Sequence, residues 1–532
     1  MGKDKLFINS KVFTANKNMP FADTILVENG TIKWIGNKDN FTTDGNAYDI
    51  VDMKGHRVLP GLIDAHMHPI QLANTTKQIA CLPPETNSIE DLIKHIKKRR
   101  EKQGTGKWIE GWGYDEGKLK ENRSPNRYDL DKAVTDSPVA LTRTCLHIMA
   151  VNSKALELAG INRNTPDPIG GQIDRDENGE PTGILRENAK ELVTKIMPSN
   201  TIKDNASNVA DLGKLLLSHG ITAVADCTGY LEKFDSMDIY NIAREKGFKQ
   251  RVVIYYMWKE LKNNTHFDME KLNRNNLTYF GGIKIIGDGS VSGKTAWVDP
   301  PYIGDEKECG LPTTTKEELL DVAEFANKYK LQLAIHAMGE RTIDLVVNTF
   351  YKKPNWLDNM PSVRIEHAAM PTENAIKRAA EAGIAIVTQP IFQYCEIESY
   401  LKNLGLERTK TTYPVKSFLN AGIKLAFSSD SPATSWADPS NPFVGIKAAT
   451  TRMSYNGIDC GQEQRIDIPT AILLYTRESQ RIVGIPNIGQ LVQGYNADFI
   501  VLDKDILDVP PEKIDEINVL ETYMGGELVY KK

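Results

Sequence analysis

Cysteine is scarce and scattered in this chain. Cys81, Cys145, Cys227, Cys309, Cys395 and Cys460 form no Cys-x-x-Cys pair, which argues against a disulfide scaffold and against a thiolate zinc site. Long apolar runs are missing as well: none approaches the ~18 residues that a membrane-spanning helix needs. The opening stretch Met-Gly-Lys-Asp-Lys-Leu-Phe-Ile-Asn-Ser lacks the apolar core of a signal peptide. A cytoplasmic protein without a membrane partner is therefore expected. There is no excess of basic charge either. The 65 Lys and Arg residues face 70 Asp and Glu, a formal net charge of −5, whereas a nucleic-acid binder usually carries a basic surface. Low-complexity tracts and internal repeats are absent.

What is present is an ordinary globular composition, 40% hydrophobic and 25% charged over 532 residues, long enough for more than one structural unit. Residues from about 5 to 58 read as short strands and turns: Leu6-Phe-Ile, Val12-Phe-Thr, Thr24-Ile-Leu-Val and Thr31-Ile-Lys-Trp-Ile, with Asn29-Gly30 as a hairpin turn. The last fifty or so residues are similar, with Asp498-Phe-Ile-Val-Leu, Val519 to Tyr523, and Glu527-Leu-Val-Tyr after Gly525-Gly526. Neither end has an obvious core of its own. The expectation is one small β-sandwich domain built from both termini, 1–58 with 484–532.

Between them, 59–483 alternates apolar strands with amphipathic helices, the pattern of parallel βα units. Eight strands are expected, Leu62 to His68, Ile221 to Cys227, Arg251 to Met257, Gly282 to Asp288, Gln332 to Ala337, Arg364 to Ala368, Ala385 to Pro390 and Lys424 to Asp430. Among the helices, Lys316-Glu-Glu-Leu-Leu-Asp-Val-Ala-Glu-Phe-Ala has apolar positions at helical spacing. Eight such units make an α/β fold, a (β/α)8 TIM-like barrel. The gap after the first strand is far beyond a loop, so 70–205 is expected to be an inserted α+β subdomain. It begins with a helix from Ile89 to Lys102 and contains a hairpin turning at Asn178-Gly179.

The first strand carries Gly61-Leu-Ile-Asp-Ala-His-Met-His-Pro69. Side chains alternate along a strand, so His66 and His68 point the same way and can bind one metal ion. A His-x-His alone arises by chance in many proteins. This one sits at the C-terminal end of a barrel strand, where such folds build their sites. At the same level are Lys284 on the fourth strand, His336 on the fifth, His367 on the sixth and Asp430 on the eighth. Each has an ordinary reading: a single His after a strand is commonly a hydrogen-bonded loop residue, a strand Lys snorkels to water, and Asp-Ser-Pro starts turns. Six such residues at one mouth, on five strands, are a different matter. His56, His95, His219 and His266 fall in a turn, a helix, a helix end and a loop, and are given no role.

Together these residues resemble the amidohydrolase superfamily: His-x-His on strand one, Lys on strand four, His on strands five and six, Asp on strand eight. The similarity is greatest to the branch called amidohydrolase family 3. Trp108-Ile-Glu-Gly-Trp-Gly-Tyr-Asp115, Tyr128-Asp-Leu-Asp131, His147-Ile-Met-Ala-Val-Asn-Ser-Lys-Ala-Leu-Glu-Leu-Ala-Gly160, Pro168-Ile-Gly-Gly171, Gly183-Ile-Leu-Arg-Glu187, Asp288-Gly-Ser290 and Gly489-Gln-Leu-Val-Gln-Gly-Tyr-Asn-Ala-Asp498 support it. The resemblance implies one or two divalent metal ions, usually zinc. His66 and His68 would hold the more buried ion with Asp430, and His336 and His367 the second. Lys284 would bridge them after its amine adds carbon dioxide to become a carbamate. The uncharged amine is the reactive form, and apolar surroundings favour it in lysines generally. Homodimers are common in the superfamily.

The expected chemistry is hydrolysis of a non-peptide C–N bond (amide, formamide or cyclic amide) in a small-molecule substrate. Two metals about 3.5–4 Å apart would share a hydroxide, and Asp430 would move the proton to the leaving nitrogen. The insert is expected to roof the site. There His147 would donate a hydrogen bond to substrate, or else cap the helix starting near Asn152. Trp112 is a substrate contact or core of the insert, and Asp288 a substrate contact or spare ligand. The alternatives are a deaminase, an ester or phosphoester hydrolase on the same scaffold, or a non-catalytic regulatory scaffold. The last predicts gaps among the ligands, and there are none.

Overall fold

The computed structural model describes residues 4–42, 47–144, 148–232, 234–262, 267–304 and 306–532. Two compact units are present, one of Met1–Pro69, Val209–Ser431 and Ser440–Lys532, the other of Ile70–Asn208 with Pro432–Pro439.

The first unit is built on eight strands, β1 (Leu62–Met67), β2 (Ile221–Gly229), β3 (Arg251–Met257), β4 (Thr278–Ile286), β5 (Gln332–Ala337), β6 (Val363–His367), β7 (Ala385–Thr388) and β8 (Leu425–Phe427). They lie side by side in sequence order, and every neighbouring pair is parallel. The chain just past β8 is tied back to β1: the Asp430 amide donates to the His66 carbonyl at 2.9 Å, and the His68 amide to the Ser431 carbonyl at 2.8 Å. Small and branched residues fill the interior, among them Ile63, Ala65, Ala223, Ala225, Val253 and Val387, as a packed barrel requires. Ile482, Val483, Ile485 and Ile488 join the same core.

Helices form where capping and periodicity coincide. Lys316–Tyr329 starts after Thr315, whose side chain accepts from the Glu318 amide. It buries Leu319, Val322, Ala323 and Ala326, and ends at Lys330 in the left-handed region. Glu373–Ala382 ends at Gly383, whose φ of 69° suits glycine.

The two ends of the chain pair, as expected. Phe499–Leu502 lies antiparallel to Arg57–Pro60 in a six-stranded sheet that also holds Lys11–Phe13, Phe21–Ala22, Val519–Met524 and Glu527–Lys531. A four-stranded sheet of Lys5–Ile8, Thr24–Glu28, Thr31–Gly36 and Asp49–Asp52 packs on it, with Phe7, Ile25 and Val27 meeting Val58, Phe499 and Tyr523 in one core. The Asn29-Gly30 turn has positive φ at both residues, 51° and 81°, which the favoured two-residue hairpin demands.

The second unit carries a six-stranded sheet, in the order Gly171–Arg175, Pro181–Glu187, Ile148–Val151, Val139–Arg143, Ile109–Tyr114 and Ile79–Ala80. The helix Ile89–Gln103 packs its Ile89, Leu92, Ile93 and Ile96 against this sheet's core. The hairpin turns at Gly179, with the Asp176 amide donating to the Glu180 carbonyl at 2.9 Å. None of the described cysteines is in a disulfide, and Cys145 lies outside the described residues. Among the described residues no helix is long and apolar enough to cross a membrane.

Strand ends depart from expectation in two places that matter. The fourth strand begins at Thr278 rather than Gly282, because Gly281-Gly282 continue the strand instead of breaking it. The eighth stops at Phe427, so Asp430 stands beyond it on a residue with φ of 55°.

Candidate metal centre

All six residues expected at the mouth come together within the first unit. His66 Nε2 and His68 Nε2 stand 3.2 and 2.8 Å from the same Asp430 oxygen, Oδ1. The ligand atoms of these three residues lie within 4.8 Å of one another. Lys284 Nζ is 3.3 Å from His66 Nε2. His367 lies with its ring centroid 5.1 Å from that of His66, and His336 with its own 4.4 Å from that of His367. His367 Nδ1 is 4.0 Å from Asp430 Oδ2. His66, Lys284, His367 and Asp430 are buried.

Asp430 reaches the cluster through its backbone. Its φ of 55° and the values of 72° and 48° at His367 and Ala368 lie in the left-handed region, which Asp and His tolerate better than most residues. At His367 the turn lets a residue next to Glu366 on β6 also face the cluster.

Each imidazole has an outer partner that leaves one nitrogen for the centre, the arrangement by which proteins orient histidine ligands. His66 Nδ1 makes a close hydrogen bond with Glu366 Oε2. His68 Nδ1 is 2.6 Å from Thr228 Oγ1. His367 Nδ1 is 2.8 Å from Gln389 Oε1, and His336 Nε2 is 2.9 Å from the Gly289 carbonyl. Burial, with the neighbouring His336, holds His367 well below the usual histidine value, and burial lowers His336 too. Both are thereby kept as neutral imidazoles, the form that donates a lone pair. Burial alone would raise Asp430, yet the neighbouring His66 and His68 hold it well below the usual carboxylate range.

The donor set fits a divalent cation. Asp430 Oδ1 is buried and accepts no hydrogen bond of good geometry among the described residues, although two ring nitrogens flank it. An ionised carboxylate oxygen so placed needs a positive partner, and two imidazoles with a carboxylate are the ligands that zinc and similar ions take.

Asp288, expected as a substrate contact or spare ligand, is held by backbone amides. It is buried, and its oxygens receive the amides of Met338 at 3.0 Å, Gly339 at 2.9 Å and Trp297 at 3.0 Å. With both oxygens taken, the side chain braces the loops after β4 and β5, although Oδ1 remains 3.5 Å from His336 Nε2. Trp112 lies in the second unit on the strand Ile109–Tyr114, half-buried and outside that unit's core cluster, which takes Ile109 and Tyr114 from the same strand. His147 lies outside the described residues.

Sequence reasoning missed Glu366, Thr228 and Gln389. One signal was available: Arg364-Ile-Glu366 puts two charged residues on one face of an otherwise apolar strand, which is costly unless they are paired.

Comparison with known proteins gives the family. YtcJ of Bacillus subtilis (strain 168), assigned to the amidohydrolases, is 30% identical over 98% of both chains. The N-substituted formamide deformylase of Arthrobacter pascens is 27% identical over 100% of this chain and 99% of its own. An uncharacterized metal-dependent hydrolase from Pyrococcus horikoshii OT3 superposes with a TM-score of 0.74 at 27% identity, over 96% of this chain and 99% of its own. The model of the amidohydrolase family matches residues 49–530, so the chain belongs to the amidohydrolase family and is a metal-dependent hydrolase.

Proposed function

We propose that the protein hydrolyses a non-peptide C–N bond, in an amide, formamide or cyclic amide, with zinc as its metal. The observation that carries this reading is Asp430 Oδ1, buried between His66 Nε2 and His68 Nε2 at 3.2 and 2.8 Å. A full-length relative named for deformylation supports the choice of bond.

His66, His68 and Asp430 would hold one ion, and His336 and His367 a second. Lys284, buried beside His66 Nε2, would serve both as a carbamate. Such an ion supplies Lewis acidity, polarising a carbonyl and lowering the pKa of water toward about 7. The side chains do the rest. Asp430 is kept ionised, so it accepts the proton of the attacking water and delivers it to the leaving nitrogen as the C–N bond breaks. The neutral rings of His336 and His367 leave the proton traffic to Asp430.

Metal analysis of the purified protein should find one to two equivalents of zinc per chain. N-formyl amines, N-acyl amino acids and cyclic amides should then be turned over in preference to purines and esters. Turnover confined to esters, or release of ammonia from purines alone, would overturn the C–N assignment and favour the ester hydrolase or the deaminase.

A further inference from the structure

Beneath the metal centre lies a charged network that the chemistry above does not use. Arg364 and Glu366, two residues apart on β6, are both completely buried inside the barrel. Glu366 Oε1 is 2.6 Å from Arg364 Nε, and Oε2 makes the close hydrogen bond to His66 Nδ1. The guanidinium is fixed in turn: its Nη2 donates to the Ala65 carbonyl at 3.1 Å, and its carbon stands 4.2 Å over the Tyr255 ring. The Tyr255 hydroxyl donates to Gln332 Oε1 at 2.6 Å, and Gln332 Nε2 donates to the carbonyls of Pro361 and Ile482 at 2.6 and 2.9 Å. Glu366 therefore has little freedom to move away from His66.

We infer that Glu366, held by Arg364, is a positioning residue that fixes the tautomer of His66 and so sets the affinity of the centre for its first metal ion; this rests on the metal-dependent reading above. An ionised carboxylate has only acceptor sites, so the ring nitrogen bonded to it must carry the proton. In the neutral ring that metal binding requires, a proton on Nδ1 leaves the Nε2 lone pair for the ion. Lys284 Nζ at 3.3 Å from the same Nε2 agrees, since an amine can donate to that lone pair. The other rings are held differently. His68 Nδ1 meets the Thr228 hydroxyl, which can donate or accept, while His367 Nδ1 meets an amide and His336 Nε2 a backbone carbonyl. Among the described residues of the cluster, His66 alone has its outer nitrogen hydrogen-bonded to a carboxylate. That anion also raises the basicity of the ring toward a cation on the other side. Burying Arg364 with Glu366 costs desolvation that an apolar pair would avoid. The pair makes sense if it orients His66.

The test is zinc affinity, measured by competition with a chromophoric chelator, with thermal unfolding of the metal-free proteins in parallel. Glu366→Gln should bind the first zinc about 10–100-fold more weakly, the range seen for outer partners of metal ligands. That variant also leaves Arg364 without its counter-ion, so a second protein removes both charges, Glu366→Gln with Arg364→Met. It should unfold near the wild-type temperature and still bind zinc weakly. Glu366→Asp, which keeps the charge, should recover part of the affinity. Wild-type zinc affinity in the double variant would mean that the pair serves packing alone and would overturn the inference. A wild-type protein that takes no zinc would overturn the metal reading and this inference with it, which separates the two failures.

Discussion

Asp430 combines two demands in one position. Its side chain must meet two imidazoles, and its backbone must take φ of 55° just past the end of β8. Asparagine tolerates the left-handed region about as well as aspartate, so Asp430→Asn removes the charge without adding backbone strain. The expected result is a protein that folds normally and still takes metal through the histidines, with kcat lowered about 10²–10⁴-fold, the span of a general acid–base contribution. Turnover within a fewfold of wild type in the metal-loaded variant would remove Asp430 from proton transfer. The side chains that touch the centre were legible in sequence because each is an unusual residue at a strand end. Their partners were not. Thr228 and Gln389 are residue types that occur at any strand end, and nothing in the order of residues says that Thr228 on β2 reaches His68 just past β1.

The fourth strand shows how an element can be misread for a physical reason. Thr-Tyr-Phe-Gly falls ahead of the expected start at Gly282, since paired glycines mark turns. In the fold both glycines lie inside β4, which carries Lys284. A Cβ on Gly282 would stand 2.2 Å from Cε1 of Tyr255 and 2.7 Å from the Gln332 carbonyl. Tyr255 is fully buried, hydrogen-bonded to Gln332 and covered by Arg364. Glycine is present because a neighbour's ring occupies the place of a side chain, which a one-dimensional pattern does not record. Gly282→Ala should therefore lower the free energy of unfolding in urea by about 1–3 kcal/mol, the cost of overpacking a core. It gains back a part through the smaller backbone entropy of alanine. An unchanged denaturation midpoint would mean that Tyr255 can move aside. The amphipathic helices were easier to read. Thr315 as a cap and the 3–4 spacing of Leu319, Val322, Ala323 and Ala326 are local signals, and the helix Lys316–Tyr329 uses all of them.

At the scale of the first unit, the two ends of the chain have to stay together around the barrel. Arg57, in the strand that precedes β1, clasps Asp505 beyond the strand Phe499–Leu502. Nε meets Oδ1 and Nη2 meets Oδ2, both at 2.7 Å. Lys11 adds a third contact to Asp505 at 3.3 Å, and Arg251 at the start of β3 reaches Asp498 at 3.0 Å. Arg57 and Asp505 are 448 apart in sequence, so no local pattern announces the pair. What could be read was only that two β-rich ends lack cores. The clasp has a pH signature. Burial would raise the Asp505 carboxyl, but the hydrogen bonds and charge of Arg57 win and hold it below its ordinary value. A carboxyl lowered in the folded state stabilises the protein fully above its unfolded value of about 3.9, and that contribution is lost as pH falls through the lower folded value. Asp505→Asn should therefore melt below wild type at pH 7. The difference between the two melting temperatures should hold down to about pH 4 and close at more acid pH. A melting-temperature gap that stays constant from pH 7 to the acid limit would show that the clasp acts through shape alone, and one that widens in acid would contradict the sign of the shift.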